Sequence, residues 1–261
     1  MEILFVITAF LAEVIGTTAG FGSSTVFLPL ALLFYDFKTA LVLVALLHIF
    51  GNLGRINFFR QGLDKRLLLI FGIPSVLLTL IGALLVAYIS QDFLEGILGI
   101  FLAVYALLSF WKENLKVTPS VSNTVLGGGI SGFLAGLIGT GGALRGAFLT
   151  SFGLPKDQYI ATAAAIALAV DFTRIPVYFA QGFLSNQFYW YIPFLFIIAI
   201  LGSFTGKQIV KRMPQKQFRK VVLVTIFIIG IKFIFNWLAK EGLGQGAGGE
   251  GGEFLQSLFA F

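Results

Sequence analysis

Six ionisable side chains stand inside otherwise apolar runs: Glu13, His48, Arg55, Arg145, Asp171 and Arg174. Placing one at the centre of a membrane helix costs about 2.5–3.5 kcal/mol, so each marks a structural ion pair or a site. Arg145 comes three residues after the run Gly139-Thr140-Gly141-Gly142. It is the leading candidate ligand for an anion, and its structural alternative is a salt bridge, with Asp171, that holds its segment in place. His48, Asn52 and Arg55 are spaced by four and three and share one helix face. Asp171 and Arg174 repeat the Asn52/Arg55 spacing. Asn52, Arg55 and Arg174 join the substrate-binding candidates. For the two arginines, snorkelling to a span end or pairing with Asp171 is the alternative.

Three groups are candidates for carrying a coupled proton. His48, the single histidine, titrates in the physiological range. Glu13, near Thr17 and Thr18, and Asp171 do so if burial shifts them. The bland alternative for His48 is a hydrogen-bonded core residue, and for Glu13 a neutral, hydrogen-bonded acid. Lys232, near a span end, reads as a snorkelling lysine.

These residues need a membrane scaffold to hold them. The chain has 261 residues, 57% of them hydrophobic and 11% charged. A soluble domain carries roughly 25% charged residues, so this one lacks the polar surface to cover a globule in water. With no cysteines, structural disulfides and thiol chemistry are excluded. The net charge of +6 lies in short loops between apolar runs, which speaks for a polytopic membrane protein and against nucleic acid. Met1-Glu2 offers no basic leader region, so the first run reads as a retained membrane segment.

The apolar runs are Ile3–Tyr35, Lys38–Phe59, Leu67–Ile89, Phe93–Trp111, Asn123–Gly153, Gln158–Ala180, Phe188–Gln208 and Phe218–Leu238. A spanning helix needs about 20 residues. The first and fifth runs are too long for one helix, and each carries a break, at Gly20–Ser24 and at Gly139–Gly142. Broken backbone at membrane depth survives only where protein or a watery cavity satisfies it. Helical arms starting near Ser24 and Gly141 would aim free N–H groups and the positive dipole end at an anion. Gly22, Ser23, Ser24 and Thr25, with Gly139, Thr140, Gly141 and Gly142, therefore complete the substrate-binding candidates. Small residues at Ala12, Gly16 and Gly20, and at Gly128, Gly132 and Gly136, are expected to let the two arms of each hairpin pack closely. The G-x-G-x-x-G match at Gly127–Gly132 has no preceding strand and is not read as a dinucleotide site.

The chain repeats itself. Asn52-Leu53-Gly54-Arg55 matches Asp171-Phe172-Thr173-Arg174, and Phe59-Arg60-Gln61-Gly62 matches Phe179-Ala180-Gln181-Gly182. Ile73-Pro74 matches Ile192-Pro193, in the same order and at a similar offset. Two repeats follow, 1–116 and 117–240, with a flexible glycine-rich tail at 241–261 that is either an artificial addition or a natural end. If each break folds back, each repeat has an odd number of crossings and the two are inverted. Arg60, Lys65, Arg66, Lys112, Lys116, Lys156, Lys207, Lys211, Arg212, Lys216, Arg219 and Lys220 then share one side, and Lys38 and Lys240 take the other. That bias puts the basic loops in the cytoplasm and both termini outside. A short arm such as Ser24–Tyr35 reaches ~18 Å, short of the ~30 Å bilayer core, so re-entrant hairpins with two short arms are expected. The fold class is thus an all-α polytopic membrane protein of two inverted repeats, each a broken hairpin plus three transmembrane helices. Tyr35, Tyr88, Tyr189, Trp190, Tyr191 and Trp237 are expected in an outer interfacial belt, with Trp111 at the inner end.

The stretch Ala135-Gly136-Leu137-Ile138-Gly139-Thr140-Gly141-Gly142, its weaker copy Ala19-Gly20-Phe21-Gly22 and the two-half layout resemble the TauE/SafE sulfite exporter family. Ser23 and Ser24 stand where that family usually has glycine. The resemblance implies transport of sulfite, sulfoacetate and related organosulfur anions across the bacterial cytoplasmic membrane. The expected function is a secondary transporter, an exporter by this likeness, with alternating access around the two hairpins; an anion channel using them as a filter is the alternative. No H-E-x-x-H, G-x-S-x-G or acidic metal cluster occurs, so no enzyme, cofactor or metal is expected. Expected partners are a small anionic substrate and membrane lipids, the latter at the basic stretch Lys207–Lys220. A homo-oligomer is compatible with the sequence, and no feature demands one.

Overall fold

The structure is a computed structural model that describes residues 3–19, 22–59, 62–111, 118–210 and 215–244. Among the described residues every regular element is helical. The first break separates α1 (Ile3–Ala19) from α2 (Ser24–Ala31). Then come α3 (Phe37–Phe58), α4 (Lys65–Ile70), α5 (Gly72–Leu85) and α6 (Gln91–Trp111). The second break separates α7 (Val121–Ile138) from α8 (Gly142–Thr150), followed by α9 (Lys156–Ala180), α10 (Tyr191–Val210) and α11 (Gln215–Gly244). Among the described residues six segments are long and apolar enough to cross a bilayer: Phe37–Phe58, Lys65–Tyr88, Gln91–Trp111, Val121–Ile138, Lys156–Ala180 and Asn186–Ile209. The chain is an all-α integral membrane protein. Its outward faces are greasy for the same reason: Leu77, Leu107, Leu126, Ile197 and Ile228 are all exposed, as lipid-facing residues should be.

Both breaks fold back. Ser131 Oγ donates to the Gly141 carbonyl at 2.8 Å, and a Cβ on Gly127 would meet the Phe148 ring, so α8 runs antiparallel beside α7. At the first break Gly16 abuts Ser23, and Phe5 packs on Phe27 with ring centroids 5.3 Å apart and planes tilted by 44°. A left-handed glycine makes each turn possible, Gly22 at φ +89° and Gly139 at φ +72°. The hairpin arms are unequal, which corrects the expectation of two short arms. α1 and α7 have 17 and 18 residues, about 25 Å and more, whereas α2 and α8 have 8 and 9. The sequence signal was the length of the apolar run before each break.

Helix pairing is exchanged between the two halves. α1 packs on α10 and α7 on α5; α10 also packs on α3 and α5 on α9; α3 pairs with α9 and α6 with α11. Gly128, Gly132 and Gly136 of α7 serve this exchange and not the hairpin, a second correction. Gly128, Gly132 and Gly136 lie against the backbone oxygens of Phe71, Ser75 and Thr79, where a Cβ would come within 2.3, 2.0 and 2.2 Å. Ser75 Oγ donates to the Gly128 carbonyl and Thr79 Oγ1 to the Gly132 carbonyl, both at 2.9 Å. In the other pair the glycines sit on α10, where Gly202 meets Glu13 and Gly206 meets Thr17. Gly132→Ala would push α7 off α5 and stretch both hydroxyl bonds. A loss of about 1–3 kcal/mol is expected, read as a lower melting temperature in detergent; an unchanged melt would reject the tight seam.

Two further expectations change. Tyr35 and Tyr191 pack inward and not toward lipid headgroups; their hydroxyls bond at 3.0 Å within a cluster with Phe5 and Phe188, and Tyr191 is buried. Tyr88 and Trp111 do stand exposed, as a belt requires. The helix α11 continues to Gly244, so residues 241–244 of the tail are helical. Gly20, Arg60, Lys112, Lys116, the boundary at 116/117, Lys211, Arg212 and the tail beyond 244 lie outside the described residues.

Candidate functional site

The tips of the two hairpins meet. Thr25, in the first turn of α2, and Thr140, in the second break, share a hydroxyl–hydroxyl bond of 2.8 Å, and both side chains are fully buried. Neither Ser23 nor Gly141 supplies a side-chain cap to the short helix that follows it. The first N–H groups of α2 and α8 are therefore left for other partners. Ser24 and Gly142 are buried at these starts. Thr25→Val is expected to cost about 0.6–1.7 kcal/mol, and the double variant with Thr140→Val no more than the larger single change, in a melting-based double-mutant cycle. Strict additivity would show that the bond contributes nothing.

Around the tips runs a buried polar network carried by α1, α3 and α9. Arg55 pairs with Glu13 and donates from Nε to Thr17 Oγ1 at 3.0 Å, from Nη1 to Asn52 Oδ1 at 2.7 Å and from Nη2 to Ser23 Oγ at 3.4 Å. Ser203 of α10 donates to Glu13 Oε1 at 2.8 Å. Asn52 Nδ2 donates to Asp171 Oδ2 at 3.3 Å, joining the two sides. Arg174 donates to Asp171 Oδ1 from Nε at 2.9 Å and pairs with it through Nη2 at 2.8 Å. His48 Nδ1 lies 2.9 Å from Asp171 Oδ2. Arg174 Nη1 then reaches the Ala135 carbonyl at 2.8 Å, and Tyr178 gives its O–H to the Gly136 carbonyl at 2.6 Å. Those carbonyls belong to the last turn of α7, whose backbone acceptors have no intrahelical partner. A cation and a hydroxyl there satisfy both the acceptors and the negative dipole end.

Arg55 and Arg174 thus each clamp one hairpin. Both are buried, at 4% and 1% exposure, so neither snorkels. Asp171 pairs with Arg174 and His48, and the salt bridge considered for Arg145 does not form. Arg145 is buried at 4% exposure and, among the described residues, makes no hydrogen bond or ion pair. It lines a cavity of about 10 Å³ together with Gly16, Gly22, Asn52, Arg55 and, from α9, Ile160, Ala163 and Ala164. That is room for about one water. Among the described residues three buried arginines face two buried carboxylates, so one positive charge has no carboxylate of its own.

Among the sequence candidates, Gly22, Asn52, Arg55 and Arg145 line the cavity, and Gly142 lies close to Gly22. Ser23, Ser24, Thr25, Thr140 and Gly141 form the touching tips. Gly139 is turned against Leu28 and Leu41, with Arg174 Nη1 close by. Glu13, His48 and Asp171 belong to the supporting network. Sequence reading missed Thr17 as an Arg55 partner, Ser203, Tyr178 and Ser131. Tyr178 was detectable, since it lies seven residues from Asp171 on the same face. Ser203, a single serine in an apolar run, carried no signal of its own. Among the described residues no group of three or more acids and histidine could hold a metal ion.

Two fold-back helices thus meet beside a buried arginine that has no ion-pair partner among the described residues, inside a bundle of spanning helices. The chain belongs to the sulfite exporter TauE/SafE family, whose family model matches residues 5–233. This is a family of membrane transporters. No curated protein and no solved structure gives a match.

Proposed function

We propose that this protein is a secondary carrier that exports a small sulfur oxyanion, sulfite or an organosulfonate, and that Arg145 is its central ligand. The observation that carries this reading is the buried guanidinium of Arg145, with no ion-pair partner among the described residues, facing a cavity at the hairpin tips. A buried cation is costly unless paired, and a bound anion supplies the pair. Asn52 and the unsatisfied N–H groups of α2 and α8 add donors for the oxyanion. The exchanged helix pairing and the two fold-backs support two inverted repeats, 1–116 and 117–240, with re-entrant hairpins. The positive-inside rule then puts the basic loops in the bacterial cytoplasm and both termini outside. A three-oxygen anion is larger than one water, so the cavity must open to admit it. Opening with each cycle favours alternating access over a static channel filter. With the interior negative, leaving the cell is downhill for a monoanion by about 2.3 kcal/mol per 100 mV, so export needs no coupled ion.

The test is the melting temperature of detergent-purified protein against sulfite, sulfate, thiosulfate, sulfoacetate, small carboxylates and chloride. An anion at 100 times its Kd adds about 2.7 kcal/mol to the folded state. A selective rise with a sulfur anion, followed by saturable flux of that anion in proteoliposomes, is the expected result. No rise with any anion, in protein shown to be folded, would overturn the reading.

A further inference from the structure

One buried group next to Arg145 is still unused. His48 is 3% exposed, and its Nε2 has no hydrogen-bond partner. A Cβ built on Gly22 would stand 3.0 Å from His48 Nε2 and 3.6 Å from Arg145 Nη2. Both nitrogens therefore border the space left open by the absent side chain of Gly22, a residue of the cavity wall.

The other face of the ring fixes what Nε2 can offer. Nδ1 lies 2.9 Å from Asp171 Oδ2, obliquely and not as an aligned hydrogen bond. Asp171 also accepts from Arg174 and Asn52, and its ion pair with Arg174 at 2.8 Å favours the ionised carboxylate. A carboxylate oxygen only accepts, so at that distance the hydrogen must sit on Nδ1. In the neutral ring Nε2 is then a lone pair. Beside Arg145 the site presents a cation and an acceptor together.

A fully ionised oxyanion matches the cation but sets its own lone pairs against Nε2. An oxyanion that keeps one O–H matches both. The same proton can sit on either atom: as ligand O–H to Nε2, or as Nε2–H to ligand oxygen. We propose that the site takes its oxyanion together with one proton, held between a ligand oxygen and His48 Nε2, and so selects anions of weak oxyacids over sulfates and simple sulfonates. This rests on the anion site proposed above and narrows its substrate class. Sulfite qualifies, because it interconverts between mono- and dianion near neutral pH.

The charges facing His48 are consistent with one added proton and one added anion. Arg55 lies on its own helix, Glu13 on α1, Arg145 on α8, and Asp171 with Arg174 on α9. The helix α2 carries no titratable side chain, Lys207 of α10 is engaged at Phe58 and Phe59, and Asp92 of α6 pairs with Lys240. Of the charged groups near the ring, Arg145 is the one without a partner among the described residues.

The experiment is calorimetric titration of the purified protein with sulfite and with methanesulfonate, each in two buffers of different ionisation enthalpy. At pH 8, where sulfite is mostly dianionic, about one proton should be taken up per sulfite bound; at pH 6, almost none. Sulfite should bind at least ten-fold more tightly than methanesulfonate at pH 6, and His48→Gln should bring that ratio toward one. Equal affinities in the wild type, or no proton uptake at pH 8, would overturn the proton-sharing site. Proton counting needs no variant, so a poorly folded His48→Gln leaves the test intact. Arg145→Ala separates the two readings. If it still binds sulfite as the wild type does, the anion site itself fails; if it loses sulfite while the wild type takes up no proton, only the role of His48 fails.

Discussion

Arg145→Ala is expected to abolish anion binding while leaving the protein as heat-stable as before, or more so. The two effects have opposite signs for one reason. In the unliganded protein the guanidinium is buried without a counter-charge. Removing such a group relieves a desolvation penalty and breaks no hydrogen bond or ion pair among the described residues. In the liganded protein the same group is the cation opposite the oxyanion. Truncating one partner of a buried charge pair costs about 2–5 kcal/mol, which corresponds to roughly 30- to several-thousand-fold in Kd. Melting curves with and without sulfite measure both at once. A variant that melts well below the wild type would mean that Arg145 holds the hairpin; one that keeps its sulfite shift would remove it from the site.

Asp171→Ala should do the reverse and strike the fold first. Asp171 is fully buried and holds Arg174, Asn52 and the His48 ring together. Its loss leaves Arg174 as an unpaired buried charge beside the end of α7. Breaking a buried pair from one side costs about 3–5 kcal/mol. The expected readout is a large fall in melting temperature and in monodisperse yield. Adding Arg174→Met should recover part of that loss, because the stranded charge goes with it, although the Ala135 carbonyl then loses its donor. If the single variant melts like the wild type, the network is not what fixes the second hairpin.

Much of this site could be read from the sequence because membrane burial makes polar residues conspicuous. Glu13, His48, Arg55, Arg145, Asp171 and Arg174 stood out against apolar runs, and all six are buried in one region. The breaks were legible for a similar reason, since glycine runs interrupt spans that are too long for one helix. Partner choice was not legible. Spacing puts Asn52 and Arg55 on one face but says nothing about α1 rotating Glu13 toward Arg55. The sequence made Arg145–Asp171 and Arg174–Asp171 equally reasonable pairs, and helix placement decided for Arg174. Gly128, Gly132 and Gly136 announced a close helix contact, yet the contacted helix was α5 and not α8. A small residue signals near approach without naming what approaches, because glycine contributes no side chain of its own to match.

The exchanged pairing has a consequence for how the protein is made. When the ribosome has delivered residues up to α6, α1 has not yet met α10, the helix it leans on. Glu13 then lacks Ser203, and the groove faced by Gly202 and Gly206 does not yet exist. The first hairpin must wait in the bilayer with part of its polar face unfilled, while α5 waits for α7. Assembly is therefore a closing step that comes late in synthesis, and neither half is a self-sufficient insertion unit. A chain stopped short of α10 would present a carboxylate toward lipid or a stray helix, the kind of surface that membrane quality control removes.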